Sequence, residues 1–278
     1  MVIGIEGVLK EYEHKTGAPL LGAAETGEYA WGVEDSDTPH RVSAIRLPSP
    51  VRYAKVLYPP RRHKTGGQPS NDPLASLAQE KGLRNDVEIE VFDCRGAMKS
   101  IKTEDPRQIH FLQSPVRYIE LADELQQAKQ HVMENSDPLR YASKYATYAR
   151  KQVEMVKESG DQLTAGNYVG IVASAARAHY IARNRAFPPM NIDEFREEAA
   201  KDIEVGAATS KLDEAVALLR RCGRDEPFSC VGAAESEYNA FFNEELEVKY
   251  SISRRERVNT ELLDDAVTSL YQKHYNVE

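Results

Sequence analysis

The alternation of apolar and polar positions splits the chain into a strand-bearing first part and a helical remainder. Ile5 to His14 mixes apolar and charged residues at helical spacing and is ended by Gly17 and Pro19. Leu20 to Ala24 is a short apolar run that reads as a strand. It leads into the turn signal Thr26-Gly27 and the lone tryptophan of Tyr29-Ala30-Trp31-Gly32. Past the acidic stretch Glu34 to Asp37, Arg41 to Leu47 alternates as a second strand, which pairs with the first across the turn. Pro48 to Asp86 is rich in proline, glycine and polar residues, above all from Pro59 to Pro73. It predicts a long excursion, mobile over about 59–85, with one amphipathic piece near Tyr53 to Leu57. Val87 to Phe92 sets Val, Ile and Val against Glu88 and Glu90, a third strand with one acidic face.

Beyond about residue 94 the spacing becomes helical. Helices are predicted over Leu121 to Met133, Leu139 to Lys157, Thr164 to Asn184, Ile192 to Asp202, Lys211 to Cys222, Ala234 to Glu247 and Thr260 to Tyr275. Ser136-Asp137-Pro138 supplies a helix start, and Phe187-Pro188-Pro189 blocks continuation of the helix before it. The expected fold is α+β: a small mixed β-sheet core with helices over 1–118, then a C-terminal helical bundle over 119–278. In the last helix Leu262, Leu263, Val267, Leu270 and Tyr271 share one side, which packs either on its own domain or on a second copy.

Length changes this picture little: 278 residues favour two domains, and 41% hydrophobic with 29% charged residues is a globular composition. No run of about 18 apolar residues is present, and Met1 to Lys15 lacks a signal-peptide core, so no membrane association and a cytoplasmic location are expected. Cys94, Cys222 and Cys230 lack CxxC spacing and read as buried free thiols. The seven histidines form no metal-ligand spacing; His40 either replaces a catalytic acid or base or has no such role. A net charge of −8 repels nucleic acid, so a polynucleotide requires a local basic patch. Arg61, Arg62, His63 and Lys64 form one candidate, either a phosphate clamp or a solvated loop tip. Tyr141, Tyr145 and Tyr148 recur at helical spacing and read as core, with base stacking as the alternative; Lys144, Arg150 and Lys151 share their helix.

The segment Glu25-Thr26-Gly27-Glu28-Tyr29-Ala30-Trp31-Gly32, followed by Asp35-Ser36-Asp37, resembles the E-S-G-S-R-A-W-G and D-S-D-Y-D text of a bacterial and bacteriophage family of predicted nucleotidyltransferases, within the polymerase-β-type superfamily. Val87 to Arg95 is similar to that family's third strand and helix start. Asp105-Pro106 through Tyr118 and Phe187-Pro188-Pro189-Met190 are similar to later segments. The resemblance spans roughly residues 20 to 195. It implies a nucleotidyltransferase-like core in which the glycine turn and a following serine hold nucleotide phosphates. It also implies two Asp at i and i+2 that, with a third carboxylate, bind Mg²⁺.

This chain departs from that pattern. Thr26 and Gly27 are in place, but Glu28 stands at the serine position. A carboxylate about 5 Å from a phosphate charge costs on the order of 3 kcal/mol at an effective dielectric of about 20. Asp37 matches the first metal Asp, Pro39 stands at the second, and Glu88 falls at the third with one extra methylene. Asp35 and Asp37 are themselves spaced i, i+2, and with Glu88 give an alternative metal set. Three functional expectations follow. One is a scaffold without catalysis or cofactor, phage-encoded in one version and then in the host cytoplasm, whose partner is a protein, a second copy of itself or a nucleic acid. Another is a divergent enzyme that uses Mg²⁺ and a nucleoside triphosphate. The third is a nucleic-acid-binding subunit that works through the Arg61 to Lys64 loop.

Overall fold

The computed structural model describes residues 4–34, 38–50, 62–65, 72–82, 87–103, 105–159, 163–222, 227–228 and 260–275. By their contacts they divide into two units: Met1–Trp31, Pro39–Ser136 and Arg257–Glu278 form one, and Gly32–Thr38 with Asp137–Glu256 the other.

The first unit is built on a five-stranded mixed sheet of order β3-β4-β2-β1-β5. Its strands are β1 (Leu20–Glu25), β2 (His40–Arg46), β3 (Arg62–Lys64), β4 (Val87–Asp93) and β5 (Arg117–Ile119). The expected pairing of the first two strands is antiparallel, while β4 joins β2 in parallel, with Arg41 opposite Glu88 and Arg46 opposite Asp93. Helix α1 (Ile5–Thr16) stops where Gly17 takes a φ of 59° and its amide donates to Glu13 O. Its Val8, Leu9 and Tyr12 pack with Ala23, Val42, Ala44, Val87, Ile89 and Val91 in one core cluster. The period of two along β4 then puts Glu88 and Glu90 on the opposite face, as its alternation predicted.

Gly22 permits a close approach on that other face, because a Cβ there would lie 2.7 Å from Leu121 Cδ2. The short helix α2 (Glu28–Trp31) follows the turn after β1. At the far end of the parallel pair, Arg46 Nε donates to Asp93 Oδ1 at 2.6 Å and Nη1 donates to Tyr12 Oη at 2.9 Å, all three side chains being buried.

Within the excursion expected to be mobile over about 59–85, two elements form. Strand β3 pairs antiparallel with β4, and helix α3 (Pro73–Lys81) buries Leu74 and Leu77 in the core cluster. The physical reason lies in caps that proline and glycine content conceals. Asp72 accepts from Leu74 N at 2.9 Å, Pro73 fills the first turn, and Gly82 ends the helix at a φ of 63°. The amphipathic piece near Tyr53 to Leu57 lies outside the described residues.

Helices α4 (Cys94–Lys102), α5 (Pro106–Gln113) and α6 (Asp123–Asn135) complete the unit with the last helix, α11 (Thr260–Tyr275). Between α11 and the sheet, Tyr275 Oη donates to Leu47 O at 3.1 Å, and Lys273 reaches Glu124 of α6 at 3.5 Å. The division by contacts therefore falls after Ser136, not after 118, and α11 groups with the sheet. Cys94 is buried; Cys222 and Cys230 lie outside the described side chains.

In the second unit α7 (Pro138–Ser159) and α10 (Ile203–Cys222) pack on α8 (Ala165–Asn184), a helix buried along most of its length. β6 (Leu163–Thr164) pairs with β7 (Pro227–Phe228), and Asn191 caps α9 (Ile192–Ala199) by accepting from the amides of Asp193 and Glu194. The Phe187 to Met190 turn is packed into the unit: Phe187 meets the Tyr141 ring edge-on at 5.0 Å, and Met190 O accepts from the buried Arg177 at 2.9 Å. The helix expected over Ala234 to Glu247 lies outside the described residues. The α+β architecture with C-terminal helices is otherwise as expected, and no helix among the described residues is long and apolar enough to cross a membrane.

Candidate functional site

The turn between β1 and α2 is organised by a residue that the sequence reading did not single out as functional. Glu25, the last residue of β1, has no exposed surface. Its Oε1 accepts from Arg41 N at 2.6 Å and from Gly27 N at 3.4 Å. Its Oε2 lies 3.1 Å from His40 Nδ1 and accepts from Tyr118 Oη at 3.2 Å. The His40 ring stacks on Tyr29 with centroids 3.9 Å apart and planes at 8°. Burial, reinforced by the Glu25 charge, pushes the Tyr118 phenol well above its ordinary pKa. A buried carboxylate is costly without such partners, and these bonds hold the turn to β2 and β5.

Thr26 and Gly27 form a close turn over β2. Thr26 N and Oγ1 both donate to Arg41 O, at 2.7 and 3.0 Å, and Oγ1 lies 3.2 Å from Ser43 Oγ. A Cβ on Gly27 would come within 3.1 Å of the Arg41 side chain, so the glycine lets the turn pass close over β2.

Glu28 is buried at the start of α2, and the Arg41 guanidinium lies between it and Glu88. Arg41 Nη1 is 4.0 Å from Glu28 Oε2, and Arg41 Nε is 3.8 Å from Glu88 Oε2. The Glu88 side chain is 72% exposed at the β4 position opposite Arg41. Two expected site carboxylates are thus brought together, but on a shared cation that the sequence reading passed over. An arginine at the first positions of β2, next to the acidic strand β4, was the available signal.

Asp35, Asp37 and Arg61 lie outside the described residues. Arg62 and Lys64 have their backbone in β3, an edge strand of the sheet, which corrects the reading of that run as a loop tip. Among the described residues no three His, Cys, Asp or Glu side chains converge to hold a metal ion.

The chain is similar to known proteins of two kinds, and one family model covers nearly all of it. A Bacillus subtilis (strain 168) protein, YcgL, is 21% identical over 206 residues, which is 74% of this chain and 73% of that one. A crystal structure of a nucleotidyltransferase-like protein from Exiguobacterium sibiricum 255-15 aligns over 98% of this chain and 89% of that chain, at 11% identity and a TM-score of 0.29. The model of the RNA repair pathway DNA polymerase beta family matches residues 1–269. This chain belongs to the RNA repair pathway DNA polymerase beta family.

Proposed function

We propose that this chain is a nucleotidyltransferase-family protein whose sheet unit has lost catalysis and serves as a binding or structural module. The observation that carries this reading is the placement of Glu28. A buried carboxylate stands at the phosphate turn, and the cation beside it, Arg41, also engages Glu88. A nucleoside triphosphate would have to bring its own negative charge against two carboxylates that share one guanidinium. Pro39 in place of a second metal Asp removes a ligand just before β2. Calorimetric titration with ATP, GTP, CTP and UTP in Mg²⁺ or Mn²⁺ tests the reading: no heat of binding at millimolar nucleotide supports a scaffold whose partner is a protein, a second copy or a nucleic acid. The phage-encoded version places that partner in a host cytoplasm.

A second reading has one observation in its favour. Glu88 is largely exposed and its pair with Arg41 is long, so the carboxylate is accessible once Arg41 swings away. In that reading Asp35, Asp37 and Glu88 bind magnesium, and the chain transfers a nucleoside monophosphate to RNA, protein or a small molecule. Metal-dependent nucleotide binding that both Asp37→Ala and Glu88→Ala abolish is its signature. In the third reading, Arg61, Arg62 and Lys64 contact nucleic acid; charge reversal of these three would then abolish salt-dependent binding.

A further inference from the structure

The exposed side of α7 carries a feature that none of these readings uses. Of the tyrosines Tyr141, Tyr145 and Tyr148, the first two are 0% and 3% exposed and belong to the core, whereas Tyr148 is 49% exposed. Met155 on the same helix is 57% exposed, so this helix supplies two of the large apolar side chains that remain open to solvent. Lys144, Tyr148, Lys151 and Met155 follow one another at steps of four, three and four residues, which is a single stripe along an α-helix. Lys144, Lys151 and Tyr148 are all exposed, and neither lysine enters an ion pair among the described residues. Arg150, next to the stripe, is partnered by Glu154 at 3.4 Å.

Charge makes the choice of partner. In a chain of net charge −8, α7 holds five basic residues and two acidic ones. Lys144 and Lys151 are separated by two helical turns, about 10 Å along the axis, with the phenol ring between them. A polyanion whose phosphates flank a flat, exposed base matches this order of cation, ring and cation. Stacking on the ring suits any base, and the ammonium groups suit successive phosphates. A duplex keeps its bases stacked inside and leaves the ring without a partner.

We infer that the Lys144–Tyr148–Lys151 stripe of α7 is a contact surface for a single-stranded polynucleotide. The inference concerns the second unit alone and holds whether or not the sheet unit binds nucleotide. The test is fluorescence anisotropy on the full chain with labelled oligouridylate and oligothymidylate of roughly a dozen nucleotides, and with a duplex of the same length, across a salt series. Binding of both single strands more tightly than the duplex is expected, and a preference for uridylate assigns the surface to RNA. Tyr148→Ala is expected to weaken binding about tenfold and Tyr148→Trp to restore it, as one lost stacking contact requires. Lys144→Gln with Lys151→Gln is expected to make the slope of log affinity against log salt shallower by about 1.4. These side chains point to solvent, so unchanged circular dichroism and melting are expected of each variant. Absence of binding at low salt, equal or tighter binding of the duplex, or variants that bind as wild type would overturn the inference. So would a sedimentation shift showing that the variants alter self-association and leave oligonucleotide binding unchanged.

Discussion

Arg41 lies between Glu28 and Glu88, 4.0 Å from the first and 3.8 Å from the second, and so bridges the start of α2 and strand β4. If Glu28 is what opposes a triphosphate, neutralising it without changing its size releases Arg41 toward the phosphates. Glu28→Gln is expected to gain nucleotide affinity by about tenfold or more, in line with the ~3 kcal/mol scale of one like-charge pair at an effective dielectric of about 20. Calorimetry on the variant checks this, and an affinity equal to that of wild type would remove Glu28 from the account.

Glu25 ties β1 to β2 and β5 through three hydrogen-bond contacts and holds its own turn through Gly27 N, with no exposed surface. Glu25→Ala is expected to destabilise the chain by about 3–5 kcal/mol, because His40, Tyr118 and the Arg41 amide lose a shared buried acceptor. His40→Ala, which removes one of these contacts and the stack on Tyr29, is expected to cost about 1–2 kcal/mol. Urea denaturation followed by tyrosine and tryptophan fluorescence ranks the two.

The buried pair Arg46–Asp93 predicts non-additivity. Asp93→Ala leaves a guanidinium in the core and is expected to cost about 3–5 kcal/mol, whereas Arg46→Met with Asp93→Leu costs less than that single change. The double-mutant cycle in urea measures the coupling.

Alkali should loosen the same end of the sheet. Burial, with the adjacent Asp93 charge, pushes the Cys94 thiol from 9.0 to about 12, and burial pushes the Tyr12 phenol from 10.0 to about 12. Folded-state values above the unfolded ones mean that each contribution is fully present below the ordinary pKa and is lost as pH rises toward the folded value. The melting temperature is therefore expected to hold up to about pH 9 and to fall from there toward pH 11. In Cys94→Ala the fall should be smaller.

Much of the sheet was legible in the sequence because its strands alternate cleanly. Val87 to Phe92 reads as a strand from its period of two, and Thr260 to Tyr275 reads as a helix that the structure places over those same residues. α3 was missed because proline and glycine counts dominated the reading, although Asp72-Pro73 and Gly82 mark both of its ends. The site was legible only as a motif. Thr26, Gly27, Glu28 and Glu88 are identifiable by resemblance, but Arg41 and Glu25 acquire their roles from pairing between strands. The register of β1, β2 and β4 decides which side chains meet, and that register is a long-range property. The Tyr141 to Tyr148 stripe shows the same limit: helical spacing places the three rings on neighbouring turns, and packing against the rest of the unit leaves only Tyr148 exposed.

The measurement that bears most directly on loss of catalysis is calorimetric titration of the full chain with the four nucleoside triphosphates in Mg²⁺ or Mn²⁺, alongside Asp37→Ala and Glu88→Ala. The account predicts no binding at millimolar nucleotide in any of the three proteins. Metal-dependent binding by the wild-type chain that both substitutions abolish would contradict it, and would identify Asp37 and Glu88 as ligands of a working nucleotide site.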